Sequence, residues 1–155
     1  MTIGFKDFVN QKGTYIGARF IDTTPIENLQ KVLGLKNPLA PEKMHVTVLY
    51  SRNKLDAIEL DESLVHEATG NEILTWKCQD GTDAVVLKMD SDSLSKRHDE
   101  WIKRGGTHDY PDYSAHVTLS YNDKIKPIKG LMIPLEVSNE YHEELDLDWK
   151  PNKDE

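Results

Sequence analysis

Polar and apolar residues alternate along two short segments of the chain, residues 45–50 (HVTVLY) and 116–121 (HVTLSY). β-Branched and aromatic residues dominate both segments, and this combination predicts a β-strand for each. Side chains two positions apart on a strand lie on the same face. The histidine and threonine of each segment therefore share one face, which Ser120 also shares in the second. The opposite, core face is predicted to carry the intervening apolar residues, ending in Tyr50 and Tyr121.

A strand and a helix are predicted ahead of the first segment. Residues 14–20 have the pattern of a strand. Thr24 is the expected N-cap of the helix, with Glu27 hydrogen-bonding back to it in a capping box. Apolar residues at helical spacing, Val32 among them, predict the buried stripe, and Gly34 is the expected terminator.

The same order of elements precedes the second segment. Residues 84–89 have the pattern of a strand, and Asp90 and Ser91 are candidate caps for the helix that follows. Trp101 marks the buried side of this helix, which is expected to stop at the glycine pair 105–106.

Four more strands are predicted elsewhere in the chain. Residues 64–68 and 72–78 are expected to form a hairpin through a turn at Gly70-Asn71. Residues 131–137 and 141–149 are the last two predicted strands. Many short strands with two or three helices favour an α+β fold built from antiparallel sheets and outer helices.

The repeated order predicts how the domain is arranged. No linker rich in proline, glycine or serine divides the chain, so we expect a single domain over residues 1–155. Its two strand-helix-strand units, at residues 14–50 and 84–121, suggest a duplication with pseudo-two-fold symmetry. Such symmetry would place the two motif strands centrally, with their histidine faces meeting in a groove.

The composition of the chain limits the ligands that it could bind and predicts its cellular location. The formal net charge is −8, which disfavours binding to a long nucleic acid through many phosphate contacts. A small anionic ligand needs only a few cations, and candidates are Arg19, Lys43, Arg52, Lys77, Lys88, Arg97 and Arg104. The chain has a single cysteine, Cys78, and no signal-peptide pattern, which predicts a cytoplasmic protein. It has no apolar run long enough to span a bilayer, so we do not expect it to enter a membrane.

The two motifs carry residues suited to phosphodiester cleavage. Imidazole has an unperturbed pKa of ~6.5, so one histidine can remove a proton while another donates one near neutral pH. His45 and His116 are the candidate acid–base pair, and Thr47 and Thr118 are candidate donors to the non-bridging phosphate oxygens. This chemistry needs no metal or other cofactor. The other histidines lack metal-ligand spacing, and Trp76 and Trp101 are expected in the core.

The two H-x-T motifs resemble those of the 2H phosphoesterase superfamily, which is named for two H-x-[ST] motifs on strands of a bilobal, pseudo-symmetric α+β fold. Within it the chain is most similar to the phage anti-CBASS phosphodiesterases, on the segments GTYIG, PEKMHVTVLYS and SAHVTLSY. Those enzymes cleave the cyclic di- and trinucleotides used as messengers in bacterial antiviral signalling.

The resemblance also implies binding residues and a course of reaction. By the resemblance, Tyr15 and Trp149 would hold nucleobases, and an acidic residue, Glu144 in preference to Glu143, would contact the ligand. The expected reaction is attack by a 2′-hydroxyl to give a 2′,3′-cyclic phosphate, which water later opens, in an infected bacterial cell.

Two alternatives to cleavage of cyclic messengers stay open. One is an enzyme of the same superfamily that opens 2′,3′-cyclic phosphates at RNA ends, although the chain has no basic track for a polymer. The other is a protein that sequesters cyclic nucleotides without cutting them. The sequence predicts no oligomeric state and does not distinguish the acid from the base.

Overall fold

The computed structural model describes residues 12–61, 63–78, 80–109 and 112–146. Within these ranges a strand-helix-strand series occurs twice, at residues 12–51 and 83–121. The elements in chain order are β1 (Lys12–Phe20), α1 (Thr24–Leu33), β2 (Val46–Ser51), β3 (His66–Lys77), β4 (Asp83–Asp90), α2 (Asp92–Lys103), β5 (His116–Tyr121) and β6 (Ile128–Asp146), with a 3₁₀ turn at Pro41–Lys43.

The described strands join in one antiparallel sheet with the order β2-β1-β6-β3-β4-β5. The predicted α+β class with antiparallel pairing is confirmed. The motif strands β2 and β5 are the two edges of this sheet, so the expectation that they lie centrally is wrong. β6 takes a central place because its 19 residues pair with β3 along one half and with β1 along the other. The two edges nevertheless approach, and Cα atoms of β2 and β5 come within 8 Å of each other.

Two pairs of strands that the sequence predicts as separate, 64–68 with 72–78 and 131–137 with 141–149, are joined in the described residues into single strands with a bulge. β3 runs through Gly70 and Asn71, where its pairing with β4 shifts. A Cβ atom at Gly70 would lie 2.9 Å from a methyl carbon of Leu87, so glycine here allows close approach of two strands. β6 runs through Asn139, whose φ of 50° accompanies a shift of register against β1. The hairpin predicted at Gly70-Asn71 is therefore wrong, because a bulge inserts a residue without reversing the chain.

Helix α1 begins one position earlier than the sequence predicts. Its N-cap is Thr23, and Thr23 Oγ1 donates a hydrogen bond to Glu27 Oε2 at 2.9 Å. The N–H of Thr24 donates to Asp22 Oδ1, also at 2.9 Å, so an aspartate satisfies this terminal amide. Gly34 ends the helix at φ 62°, as predicted, because this left-handed conformation favours glycine.

Helix α2 follows its prediction closely. Ser91 caps the helix by accepting a hydrogen bond from the N–H of Leu94 at 3.2 Å, and the last helical residue, Lys103, precedes the glycine pair. Trp101 is fully buried in the core, as predicted. On α1, by contrast, Val32 is 83% exposed, so the predicted apolar stripe is wrong at that position.

Each helix packs against the motif strand of the other series. Helix α1 contacts β5 and β6, whereas α2 contacts β2 and β3. The core between these layers is continuous and includes Ile16, Ile26, Leu94, Trp101 and Leu119, all fully buried. Among the described helices, none combines the length and apolar character that a bilayer crossing requires.

Candidate active site

The two motif histidines are held by the same backbone contact. Nδ1 of His45 lies 2.9 Å from the carbonyl oxygen of Lys43, and Nδ1 of His116 lies 3.0 Å from that of Ser114. A carbonyl oxygen only accepts hydrogen bonds, so Nδ1 carries the proton in both rings. This bond fixes the tautomer and leaves Nε2, the second nitrogen, to exchange a proton with a ligand.

A β-bulge follows each motif at the same position. Against β1, residue Val48 is the extra residue of β2, and against β4, residue Leu119 is the extra residue of β5. Each bulge shifts the alternation of faces for the residues beyond it. The predicted core position of Tyr50 is therefore wrong, and its side chain is 42% exposed.

The bulge in β5 also removes Ser120 from the face of His116. Ser120 is fully buried, donates to Asp123 Oδ2 at 2.9 Å and accepts from the N–H of Asn37 at 3.1 Å. The expectation that Ser120 shares the motif face is therefore wrong, and its hydroxyl serves to anchor two loops. Alternation predicted from sequence fails here because it assumes an unbroken strand.

Tyr15, which the resemblance implies as a base-holding residue, lies beside the first motif. Its hydroxyl and Thr47 Oγ1 share a hydrogen bond of 3.0 Å, and its ring centroid lies 6.3 Å from that of His45. Burial raises the pKa of the Tyr15 hydroxyl, so the group stays protonated and its hydrogen bond persists over the working pH range.

The second motif has a different aromatic neighbour, Trp76 on β3. Its ring centroid lies 4.4 Å from that of His116, with the rings at 61°. Trp76 is half-buried, so its predicted place in the core is wrong, and it instead covers one side of the imidazole. The signal for this contact was absent from the local sequence, because β3 and β5 lie on opposite sides of β4 in the sheet.

His116 also has a cationic neighbour and a lowered pKa. Lys88 is its direct partner across the β4–β5 ladder, so both side chains are on one face. The pKa of His116 is lowered mainly by burial, with further lowering by His45 and Lys88, against a contribution from the Ser114 carbonyl that raises it. The ring of His116 is therefore neutral near pH 7, and the two motif imidazoles are close enough to influence each other.

Sequence reasoning did not select Tyr141, which extends the face next to Tyr15. Tyr141 pairs with Gly17, and its ring covers that glycine so closely that a Cβ atom there would lie 2.5 Å from the ring. Its centroid is 6.0 Å from that of Tyr15, and the guanidinium carbon of Arg19 lies 4.6 Å above its ring. The bare backbone of Gly17 thus makes room for a second tyrosine beside Thr47.

The two adjacent glutamates of β6 occupy opposite faces of the strand. Glu143 pairs with Tyr15, whereas Glu144 pairs with the buried Thr14 and forms an ion pair of 3.5 Å with Lys54. Because directly opposed residues share a face, Glu143 lies on the face of Tyr15. Trp149, the second predicted base-holding residue, lies outside the described residues.

A cavity of about 850 Å³ opens next to the start of β5. Lys88, Tyr113, Ser114 and Ala115 are among its lining residues, which places it alongside the segment that leads into His116. Within the described part of the chain, no three histidine, cysteine or acidic residues cluster in a way that suits a metal ion.

Fold and site together define an α+β protein with two matched His-x-Thr strands at the approaching edges of an antiparallel sheet. The family model for Anti-CBASS protein Acb1 matches residues 12–152. The chain therefore belongs to the Acb1 family.

Individual relatives agree with this assignment. The Anti-CBASS protein Acb1 of Vibrio phage KVP40 is 49% identical over 149 residues, which cover 95% of this chain and 97% of that protein. The proteins of the same name from Salmonella phage S16 and Enterobacteria phage T4 are each 39% identical over 148 residues, covering 94% of this chain and 95% of each relative.

One solved structure shares the fold. The crystal structure of TT0787 of Thermus thermophilus superposes with a TM-score of 0.53, covering 90% of this chain and 100% of that one. The two sequences are 13% identical, so the likeness concerns the fold alone.

Proposed function

We propose that this chain is a phosphodiesterase that cleaves 3′-5′ linkages in cyclic di- and trinucleotides without a metal, and that it thereby counters CBASS defence during phage infection. The observation that carries the proposal is the matched anchoring of His45 and His116 through Nδ1. Both rings then offer Nε2 as the group that exchanges a proton. The relatives are named Anti-CBASS protein Acb1, which supports the biological role.

The first chemical step uses the two imidazoles in opposite protonation states. One neutral imidazole removes the proton of the ribose 2′-hydroxyl, and this oxygen attacks the adjacent phosphorus. The bond from phosphorus to the 5′-oxygen breaks, and the other, protonated imidazole gives its proton to that oxygen. Thr47 and Thr118 donate hydrogen bonds to the non-bridging oxygens, where negative charge increases. The product is a linear chain that ends in a 2′,3′-cyclic phosphate.

The second step opens the cyclic phosphate with water. The imidazole that gave its proton in the first step now accepts one from water, and the other returns a proton to the 2′-oxygen. The end product carries a 3′-phosphate, and both histidines are restored. We assign the base of the first step to His116, because its lowered pKa keeps it neutral near pH 7. His45 is then the acid.

Aromatic and acidic residues around the first motif are proposed to hold the nucleotides. Tyr15 and Tyr141 offer adjacent aromatic faces, and stacking on an aromatic is worth ~1–3 kcal/mol per base. The resemblance favoured Glu144 as the carboxylate that contacts the ligand, but Glu143 lies on the face of Tyr15, so we propose Glu143 for contact with a base edge. Trp149 keeps its expected role of holding a nucleobase.

The central experiment incubates the protein with a 3′,3′-cyclic dinucleotide in excess chelator and follows linear products by chromatography and mass. His45→Ala and His116→Ala should each lower turnover by ~10²–10⁴-fold, the usual contribution of one acid–base group. His142→Ala, at an exposed histidine of β6, is the matched control and should retain activity. Near-normal turnover by either motif variant would exclude the two-imidazole mechanism.

Modified substrates separate the nucleophile from the acid and the base. A 2′-deoxy ring should not be cut, and cleavage at the normal rate would identify water as the nucleophile. A ring with sulfur in place of the 5′-bridging oxygen has a leaving group that needs no protonation. It should restore activity to His45→Ala and leave His116→Ala inactive, and the reverse result would exchange the two roles.

The same assay distinguishes the alternatives. Opening of 2′,3′-cyclic phosphates on RNA ends, with cyclic dinucleotides left intact, would identify an RNA-end enzyme. Depletion of unbound cyclic dinucleotide without a new product would identify a sequestering protein.

A further inference from the structure

Two carbonyl groups of the first motif strand are held by side chains from the other series of elements, the buried His98 and the half-buried Tyr113. The Tyr113 hydroxyl donates to the carbonyl of Thr47 at 2.6 Å, and Nδ1 of His98 lies 2.7 Å from the carbonyl of Val48. The rings of His98 and Tyr113 stack on each other, with centroids 4.4 Å apart and planes at 13°. Consecutive carbonyls at the bulge of β2 are thus held by one rigid aromatic pair.

The second motif strand is held in a corresponding way by α1. Gln30 is 6% exposed, and its Nε2 donates to the carbonyls of Leu119 at 2.9 Å and Leu39 at 3.0 Å. Leu119 is the bulge residue of β5, as Val48 is of β2. In both cases a buried polar side chain on a helix of one series bonds the bulge carbonyl of the other.

These bonds have a physical reason. A bulge disrupts the ladder locally, and a buried carbonyl left without a donor costs free energy. The Leu119 carbonyl also accepts from the N–H of Leu39 at 2.9 Å, so Gln30 is its second donor and ties it to the Leu39 carbonyl. His98 is 3% exposed and its pKa is lowered mainly by burial, so the ring is neutral and its single N–H serves the Val48 carbonyl. Since the bulge residue directly follows the motif threonine, its carbonyl fixes the strand next to the reacting groups.

We propose that His98, Tyr113 and Gln30 are positioning residues, which hold the bulges of β2 and β5 and thereby set the separation of the two motif imidazoles. The role in turnover rests on the proposed phosphodiesterase function. The effect on ring position does not, because the hydrogen bonds exist whatever the ligand is.

Matched variants test the effect on turnover. Tyr113→Phe and Gln30→Met remove the donors and keep the size of the side chains. We expect kcat to fall by ~10-fold or more, since a shift of ~1 Å in reacting groups can cost ~10²-fold, while KM changes by less than ~2-fold. Ser138→Ala removes another buried hydroxyl that donates to a carbonyl, that of Leu64 at 2.8 Å, and should keep kcat.

The position of the donor provides a second comparison. The amide nitrogen of asparagine occupies nearly the place of Nδ1, so His98→Asn should retain more kcat than His98→Leu. A purely structural role would lower the thermal midpoint in all variants, Ser138→Ala included, and would leave kcat per folded molecule unchanged. That result would overturn the proposal.

A spectroscopic measurement keeps the test independent of catalysis. Ring carbon–proton resonances of His45 should shift in Tyr113→Phe, and those of His116 should shift in Gln30→Met. Ser138→Ala should move neither. If the wild-type protein is inactive and the resonances still shift in the donor variants, the phosphodiesterase function is refuted and the positioning role is retained. If the resonances do not move in either donor variant, the positioning role is refuted.

Discussion

Gly17→Ala is the substitution whose consequence the structure defines best. The added Cβ would lie 2.5 Å from both Cζ and the hydroxyl oxygen of Tyr141. Ordinary contacts begin near 3.4 Å, so the ring has to move by about 1 Å. Tyr15 and Arg19 are its neighbours, so this displacement disturbs the proposed base-holding face.

The expected size follows from the energy of stacking. A base on an aromatic ring contributes ~1–3 kcal/mol, and loss of the lower part of that range, ~1.4 kcal/mol, is tenfold in binding. We therefore expect KM for a 3′,3′-cyclic dinucleotide to rise about tenfold, with a smaller change in kcat because the motif histidines keep their carbonyl contacts.

Steady-state kinetics and thermal unfolding measure this prediction together. Gly70→Ala is the control, since its Cβ would meet a methyl carbon of Leu87 at 2.9 Å on a different strand pair. Both variants should lose stability, but only Gly17→Ala should raise KM. An unchanged KM in a folded Gly17→Ala protein would refute the role assigned to the Tyr15–Tyr141 face.

Two further predictions concern stability. Burial lowers the pKa of three histidines below the unfolded value of 6.5, and these are His66, His98 and His116. The unfolded chain then binds more protons below ~pH 6.5, so the thermal midpoint should be lower at about pH 5 than at about pH 7, and equal midpoints would contradict this. Arg97 binds the buried Glu140 at 2.7 Å, so Glu140→Ala should cost ~3–5 kcal/mol in urea unfolding by removing the buried partner of a buried cation. Glu100→Ala removes an exposed partner of the same guanidinium and should cost less than ~1 kcal/mol, and equal losses would refute the argument from burial.

The local pattern of the chain was sufficient to place most elements. Alternation located β2 and β5, and cap and terminator residues located both helices, because these signals act within a few residues. The carbonyl contacts of His45 and His116 also lie within two residues of each ring, which is why both motifs are anchored alike.

Features that depend on pairing between strands far apart in the chain could not be predicted from the sequence. The bulge at Gly70 is a shift in the pairing of β3 with β4, a strand that comes later in the chain. The bulge at Leu119 is fixed by register with β4, and it reverses the predicted face of Ser120. Trp76 reaches His116 only because their strands flank β4 on its two sides. Long-range register, rather than local propensity, decides each of these positions.

The position of β6 in the chain determines when the sheet can form during synthesis. Residues 128–137 complete the hydrogen bonding of β3, and residues 137–146 complete that of β1, which was made more than a hundred residues earlier. Pairing over such sequence separations is slow, because the entropy of closing a long loop precedes any gain. A nascent chain that still lacks β6 keeps β1 and β3 unpaired along one side, so the two motif strands acquire their mutual placement only after residues 128–146 have been made.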